Sequence, residues 1–389
     1  MITPRRASRT AWFVLGGLLA LGLVLFAWLH VVAYRSLQKQ LTENVAEAQA
    51  RSARRPVVRG EAAPGDAWPE YELGLASVGS VGFDEVRRWL DGAAEDRARA
   101  VATLAANEKA LAFLRAGARK AQGAYQIQWD RGWFADMPSL VAVTNLTTLA
   151  VGQARMLVEA GKSREAAELL LDAAQFGADL GRNVSVQTEM MALSSLGQVF
   201  DALRSLPPDP EVGRALAVLD ATFPNHAEAL LNEMTLMGVT YMNFSVEPPA
   251  AASAWRFGFS SQLMMIDAWT TVQHTVRRMA ATTTAPWAEA QRVAAEIGAE
   301  AKRSHSEIFK SMIQGLGETE RVSRERRAQL RILRMLHGGS DRLDDPFGSK
   351  LLSDGARIWS VGADGVDSGG GGAWKPALTG DIVLERPVK

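Results

Sequence analysis

Residues 140–180 read LVAVTNLTTLAVGQARMLVEAGKSREAAELLLDAAQFGADL, and this stretch decides the fold class. Its first half, 140–160, is rich in Ala, Leu and Val and has no internal Pro, so it predicts one long helix. Pro138 suits the start of that helix, with Asp136 as the expected cap. Gly161 ends it, Ser163 is expected to cap a successor, and 165–180 repeats the apolar spacing. Two helices joined by so short a turn must run antiparallel.

Working outward, helical signals extend from residue 83 to about His337. Phe83, Val86, Trp89 and Leu90 open an amphipathic element after Gly82, and Val101, Leu104, Ala105, Leu111, Phe113 and Leu114 continue it. Beyond the hairpin, helices are expected over 184–206, 209–221, 225–244, 260–281 and 286–302. A charged helix then runs to Leu336, and Pro or Gly bounds most of these elements. Around Gly161, small and apolar residues sit where two helices would touch: Ala154, Leu157, Val158, Ala166, Leu169 and Leu170. This arrangement resembles a tetratricopeptide-like hairpin. Regular 34-residue units cannot be aligned, so the expectation is an irregular helical-hairpin domain, not a solenoid.

The chain's other strong signal is the apolar run at 11–34, preceded by Arg5, Arg6 and Arg9 and flanked by Trp12, Trp28 and Tyr34. Its length predicts a single transmembrane helix and exceeds the apolar core of a secretory signal. On that reading, residues 1–10 form a cytoplasmic stub. The rest lies outside the cytoplasm, anchored in a bacterial inner membrane with lipid as a partner. Gly16 and Ala20 are spaced to permit a homodimer. Residues 35–82 read as a stalk followed by an extended linker or clasp: Leu37, Leu41, Val45 and Ala48 continue the helix, and Pro56, Pro64 and Pro69 interrupt it. The helical domain occupies 83–338, and 339–389 forms a small antiparallel β meander with a Gly-rich loop. The fold class is therefore mainly α.

Composition narrows the function classes. The chain has 43 basic and 43 acidic residues. Setting aside Arg5, Arg6 and Arg9 leaves 40 against 43, which excludes the basic footprint of a general nucleic-acid binder. With no Cys there are no disulfides and no thiolate metal sites. Gly161-Lys162-Ser163 imitates the end of a P-loop, but Met156 stands where the first Gly is required, on a helix instead of after a strand. His226-Ala227-Glu228 and His305-Ser306-Glu307 lack the Cys pair of a zinc deaminase. The five His, at 30, 226, 274, 305 and 337, form no local motif. Met234, Met237, Met242, Met264 and Met265 read as helical core before they read as an adaptable groove. Arg324, Arg327, Arg331 and Arg334 lie along one side of a helix and read as a solvated, salt-bridged face.

In the tail, Asp345-Pro346-Phe347-Gly348 is followed by Ser360-Val361-Gly362-Ala363-Asp364-Gly365, a Gly run and Asp381-Ile382. This order resembles the C-terminal β segment of the major pseudopilins of type II secretion systems. The resemblance covers about 345–384 and implies a calcium site, with Asp364 and Asp381 on the family's aspartates and Asp367 as a further oxygen donor. Hard oxygen ligands and inward carbonyls would suit calcium, although Gly369 to Gly372, Ala373, Trp374 and Lys375 replace the family's further acids. The N-terminus has no pseudopilin peptidase site. The layout as a whole resembles a group of bacterial single-pass membrane proteins with a helical body and this tail.

These readings favour an envelope protein whose work is protein interaction or scaffolding. The rival is an envelope hydrolase with a site built from dispersed acidic and His residues, and a third reading is an accessory to secretion or pilus machinery. A long open groove would support a binder, and carboxylates or His converging in a deep cleft would support an enzyme.

Overall fold

The computed structural model describes residues 4–51, 54–79, 81–246, 259–303, 307–338, 343–375 and 380–386. In chain order these form α1 (Pro4–Ala50), β1 (Ala63–Asp66), α2 (Trp68–Ser77), α3 (Phe83–Leu90), α4 (Arg97–Ala106), α5 (Glu108–Ala118) and β2 (Lys120–Gln122). There follow α6 (Leu140–Glu159), α7 (Ser163–Leu180), α8 (Val186–Leu203), α9 (Pro210–Ala221), α10 (His226–Val246), α11 (Phe259–Thr282), α12 (Trp287–Arg303) and α13 (Glu307–Leu336). The tail adds β3 (Leu352–Ser353), β4 (Arg357–Ser360) and β5 (Ile382–Glu385), an antiparallel sheet in that order. The protein is thus mainly helical with a small antiparallel sheet near its C-terminus.

The α6–α7 hairpin forms where its sequence places it. Gly161 turns the chain with φ +75°, a conformation that a side chain would strain. The caps differ in detail. Ser139, not Asp136, caps α6 by accepting from the Ala142 amide, and α7 has no side-chain cap, so Ser163 is its first residue. Asp209 caps α9 ahead of Pro210, and Ser185 caps α8.

Nearly every residue of α7 from Ala166 onward is buried, because α5, α6, α8 and α9 all pack against it. A central helix of this kind should be apolar all round, yet it carries buried Asp172, Gln175 and Asp179. These are satisfied by the extended segment that follows α1. Arg55 forms a two-pronged ion pair with Asp179, Nε to Oδ1 and Nη2 to Oδ2 both at 2.7 Å, and neither side chain is exposed to solvent. Tyr71 donates its hydroxyl to Asp179 Oδ2 at 2.7 Å, the Gln175 amide donates to Oδ1, and Val58 N donates to Gln175 Oε1. Arg59 reaches Asp172 and Glu168 one and two turns back. Burial works against both charges of the Arg55–Asp179 pair. The carboxylate outweighs it at Arg55, whose guanidinium is held above its ordinary pKa. The segment 35–82 therefore contains β1, α2 and a clasp built into the core, with α2 packed on α5.

The membrane anchor expected at 11–34 is corrected by the structure: among the described residues no helix is long and apolar enough to cross a membrane. Most side chains of that run, including His30, lie outside the described residues. Past Tyr34, α1 carries Arg35, Lys39, Glu43 and Glu47, which a hydrocarbon-spanning segment does not tolerate. The single-pass topology, the inner-membrane placement and the lipid contact through an anchor go with it. Nor is the stretch after 34 a free stalk. Leu37 and Leu41 pack with Met234 and Met237 of α10, Trp269, Val272 and Val276 of α11, and Ile297 of α12. The Met residues at 234 and 237 are core, as expected, while the side chains of Met264 and Met265 lie outside the described residues.

The Arg row of α13 is a second correction, because it is largely not solvated. Arg324 is 8% exposed and donates to Glu320, to Pro346 O and to the carbonyls of Thr282 and Ala285, joining the α11–α12 turn to the tail. Arg327, Arg331 and Arg334 gather on Asp220 of α9. Leu330, Leu333 and Leu336 are buried. The Arg side of the helix is an inter-element contact because its neighbours offer carbonyls and one shared carboxylate.

Removing Asp179 would strand Arg55 in the core. Asp179→Ala should destabilise the protein by about 3–5 kcal/mol, the usual cost of a buried charge left unpaired. Tyr71→Phe, which removes one hydrogen bond, should cost about 1 kcal/mol. Urea unfolding followed by circular dichroism measures both, and a loss below about 1 kcal/mol for Asp179→Ala would show that the clasp does not hold the body together.

Candidate interaction groove

One flank of α6 lines a groove, going from half-buried Val151 through buried Ala154 to exposed Val158. These three recur at helical spacing, and Ala202 of α8 with Leu206 just beyond faces them across the groove, whose volume is about 1030 Å³. Leu90 and Asp91, at the end of α3, close one part of the rim. Val158 is 38% exposed, an apolar side chain left in water on the groove wall.

The polar rim is held in place from outside. Arg155 donates to the carbonyls of Trp89 (2.6 Å) and Leu90 (3.0 Å), answering the free C-terminal carbonyls of α3, and its guanidinium lies 4.7 Å from the Trp89 ring centroid. Arg87 donates to Asn145 at 2.6 Å and to Asp84 at 2.8 Å. The opposite wall comes from the tail. Trp374 donates its indole N–H to Asp201 Oδ1 at 2.7 Å, its carbonyl accepts from Gln329, and Lys375 pairs with Asp201.

The Gly run explains how the loop delivers Trp374. Ala373 pairs with Ile382 beside β5, and Gly372 lies so close to Asp381 that a Cβ would meet the Asp381 carbonyl oxygen at 2.1 Å. Only Gly permits that approach. Arg204, the residue after α8, stacks over the Trp374 ring at 5.6 Å. Asp201, Arg204 and Trp374 escape sequence reasoning because they meet only through tertiary packing. The one available signal was the Gly run ending in an aromatic residue.

The three aspartates singled out in the tail act as loop staples. Asp364 accepts from the amides of Val366 (3.1 Å) and Gly380 (2.8 Å). Asp367 Oδ1 accepts from the Trp359 indole and the Gly369 amide. Asp381, fully buried, accepts from Ser368 N at 3.3 Å and Gly370 N at 2.9 Å. The loop turns amide hydrogens toward these carboxylates, the polarity opposite to the one a cation needs. Among the described residues no group of three or more acidic or His side chains converges as a metal ion would require.

Among the described His side chains, His226 joins a polar array. Its Nδ1 lies 2.7 Å from Glu189 Oε2, and its Nε2 lies 3.4 Å from Thr319 Oγ1, so α8, α10 and α13 bring together a carboxylate, an imidazole and a hydroxyl. His274 is exposed, and His305 lies outside the described residues. His337 is fully buried; burial lowers its pKa, and its Nδ1 accepts from Asp209 N at 3.2 Å. Comparison of the chain with protein-family models, with curated proteins and with solved structures found no match.

Asp345, at the base of the tail, accepts from Phe347 N, Ser360 Oγ and Val361 N, yet burial outweighs these bonds and raises its pKa. Such a group holds its proton more tightly in the folded state than in the unfolded chain. Its contribution to stability is greatest below the unfolded value of about 3.9 and is lost as pH rises through the folded value. Asp345→Asn should therefore remove a negative slope. The difference in stability between wild type and variant should shrink as pH rises above about 4, measured by urea unfolding at a series of pH values. A pH-independent difference would contradict the assignment.

Proposed function

We propose that this chain is a protein-interaction or scaffold protein that takes a segment of a partner into the groove beside α6. The observation that carries this reading is the groove itself: open, apolar along its floor, polar along its rim, and, at about 1030 Å³, at the upper end of what a small molecule fills. The resemblance of the α6–α7 turn to a tetratricopeptide-like hairpin supports the same reading, since stacked hairpins present grooves of this kind.

The hydrolase reading is supported by a single array, Glu189, His226 and Thr319. It is the weaker of the two. Glu189 is fully buried, and Thr319 lies within α13, where backbone N–H groups are committed to the helix and leave no ready donors for an oxyanion. The reading as an accessory to secretion or pilus machinery rests on the tail resemblance and is analogy alone.

Photo-cross-linking in cells tests the groove. A benzoylphenylalanine at position 158, on the groove wall, should give a discrete adduct, and one at position 318, whose Glu side chain is 56% exposed on α13, should not. Ala202→Arg should reduce the adduct about tenfold, equivalent to about 1.4 kcal/mol, with little change in melting temperature. Equal yields at the two positions, or none at 158, would remove the groove from consideration.

A further inference from the structure

We propose that the groove selects a polypeptide segment bearing a carboxylate, read by Arg204, with aliphatic side chains on either side filling the α6 floor. This rests on the groove being the binding site and adds the chemistry of its occupant. Six charged residues line the groove, four basic and two acidic: Arg87, Arg155, Arg204 and Lys375 against Asp91 and Asp201. Their partners within the chain differ. Arg87 is paired with Asp84, Arg155 is tied to the end of α3, and Lys375 is spent on Asp201.

Arg204 is the exception. Among the described residues it has no ion pair, and its only contact of note is the Trp374 face beneath it. This cation–π contact holds the guanidinium beside the groove wall, and its exposed N–H groups can grip a carboxylate with two parallel hydrogen bonds. Asp91 and the carbonyl ends of α8 oppose an anion. The carboxylate of Asp201 is already answered by Lys375 and the Trp374 indole, so among the described residues Arg204 is the groove cation that no carboxylate of the chain answers. A basic side chain at the same place would meet the like charge of Arg204.

The apolar floor supplies the second half of the specificity. Val151, Ala154 and Val158 lie three and four residues apart on α6, so their side chains form one continuous strip. Ala202 and Leu206 face that strip, so an aliphatic side chain laid along it is met by apolar groups, with Thr144, Thr148, Gln198 and Ser205 elsewhere on the lining. An aliphatic residue adjacent to an acid therefore satisfies both features at once.

A random twelve-residue peptide display library selected on the full-length protein tests this. Asp or Glu should be enriched about fivefold, the size supported by a half-exposed guanidinium–carboxylate pair, at a constant spacing from Leu, Ile or Val. Arg204→Glu should abolish that enrichment and replace it with Lys or Arg at the same position. Arg204→Gln should abolish it without inversion. Melting curves for both variants should match wild type, because Arg204 is exposed. Peptides enriched without an acid, or the same acidic peptides enriched on Arg204→Glu, would overturn this inference and leave the groove reading standing. No peptide enriched above the unselected library would overturn both.

Discussion

A buried carboxylate on a central helix organises this molecule. Asp179 lies where α7 is enclosed by its neighbours, and an unpaired charge there would cost several kcal/mol. Arg55, Tyr71 and Gln175 supply its hydrogen bonds, so its partners come from the extended clasp, from α2 and from α7 itself. The clasp cannot leave without stranding a charge, and α2 cannot leave without exposing the Tyr71 ring, which packs edge-on against Phe176. One ionisable side chain thereby fastens the segment before the helical body to its centre.

The tail depends on the body in a comparable way. Its sheet is too small to be stable alone. Trp287 of α12 donates to the carbonyl of Ala363, Arg324 of α13 donates to that of Pro346, and Trp374 reaches Asp201 of α8. Each bond joins a helix to the loops of the tail, leaving the ladder of the sheet intact. Because Trp374 is also a wall of the groove, the Gly-rich loop, the sheet and the proposed binding surface form one connected piece of structure.

Much of the helical architecture was legible in the sequence. The α6–α7 turn, the Asp209-Pro210 start of α9, and the paired Met234 and Met237 all rest on local rules: Gly at positive φ, Pro in a first turn, apolar residues at helical spacing. Expectations failed where a local pattern admitted two environments. A row of Arg at three- and four-residue steps suits solvent equally well as a set of buried carbonyls, and α13 uses it for the latter. Asp136 before Pro138 had the look of a cap, but Ser139, three residues on and immediately before the first helical residue, takes that place. The apolar run at 11–34 was read as an anchor from its length, its preceding Arg residues and its flanking aromatics, and no helix among the described residues meets the requirement for a membrane span.

The candidate site shows the same division more sharply. The sequence by itself determined that the chain is mainly helical, that a hairpin turns at Gly161, and that a short β segment with a Gly-rich loop closes the described fold, because backbone conformation and helical periodicity are local properties. Only the tertiary structure decided that Arg55 belongs to Asp179, that the tail aspartates hold amides, and that Arg204, Asp201 and Trp374 meet at one groove. These residues lie up to 173 positions apart, and what joins them is the need of each buried polar group for a partner. A single sequence contains that demand without showing which residue meets it.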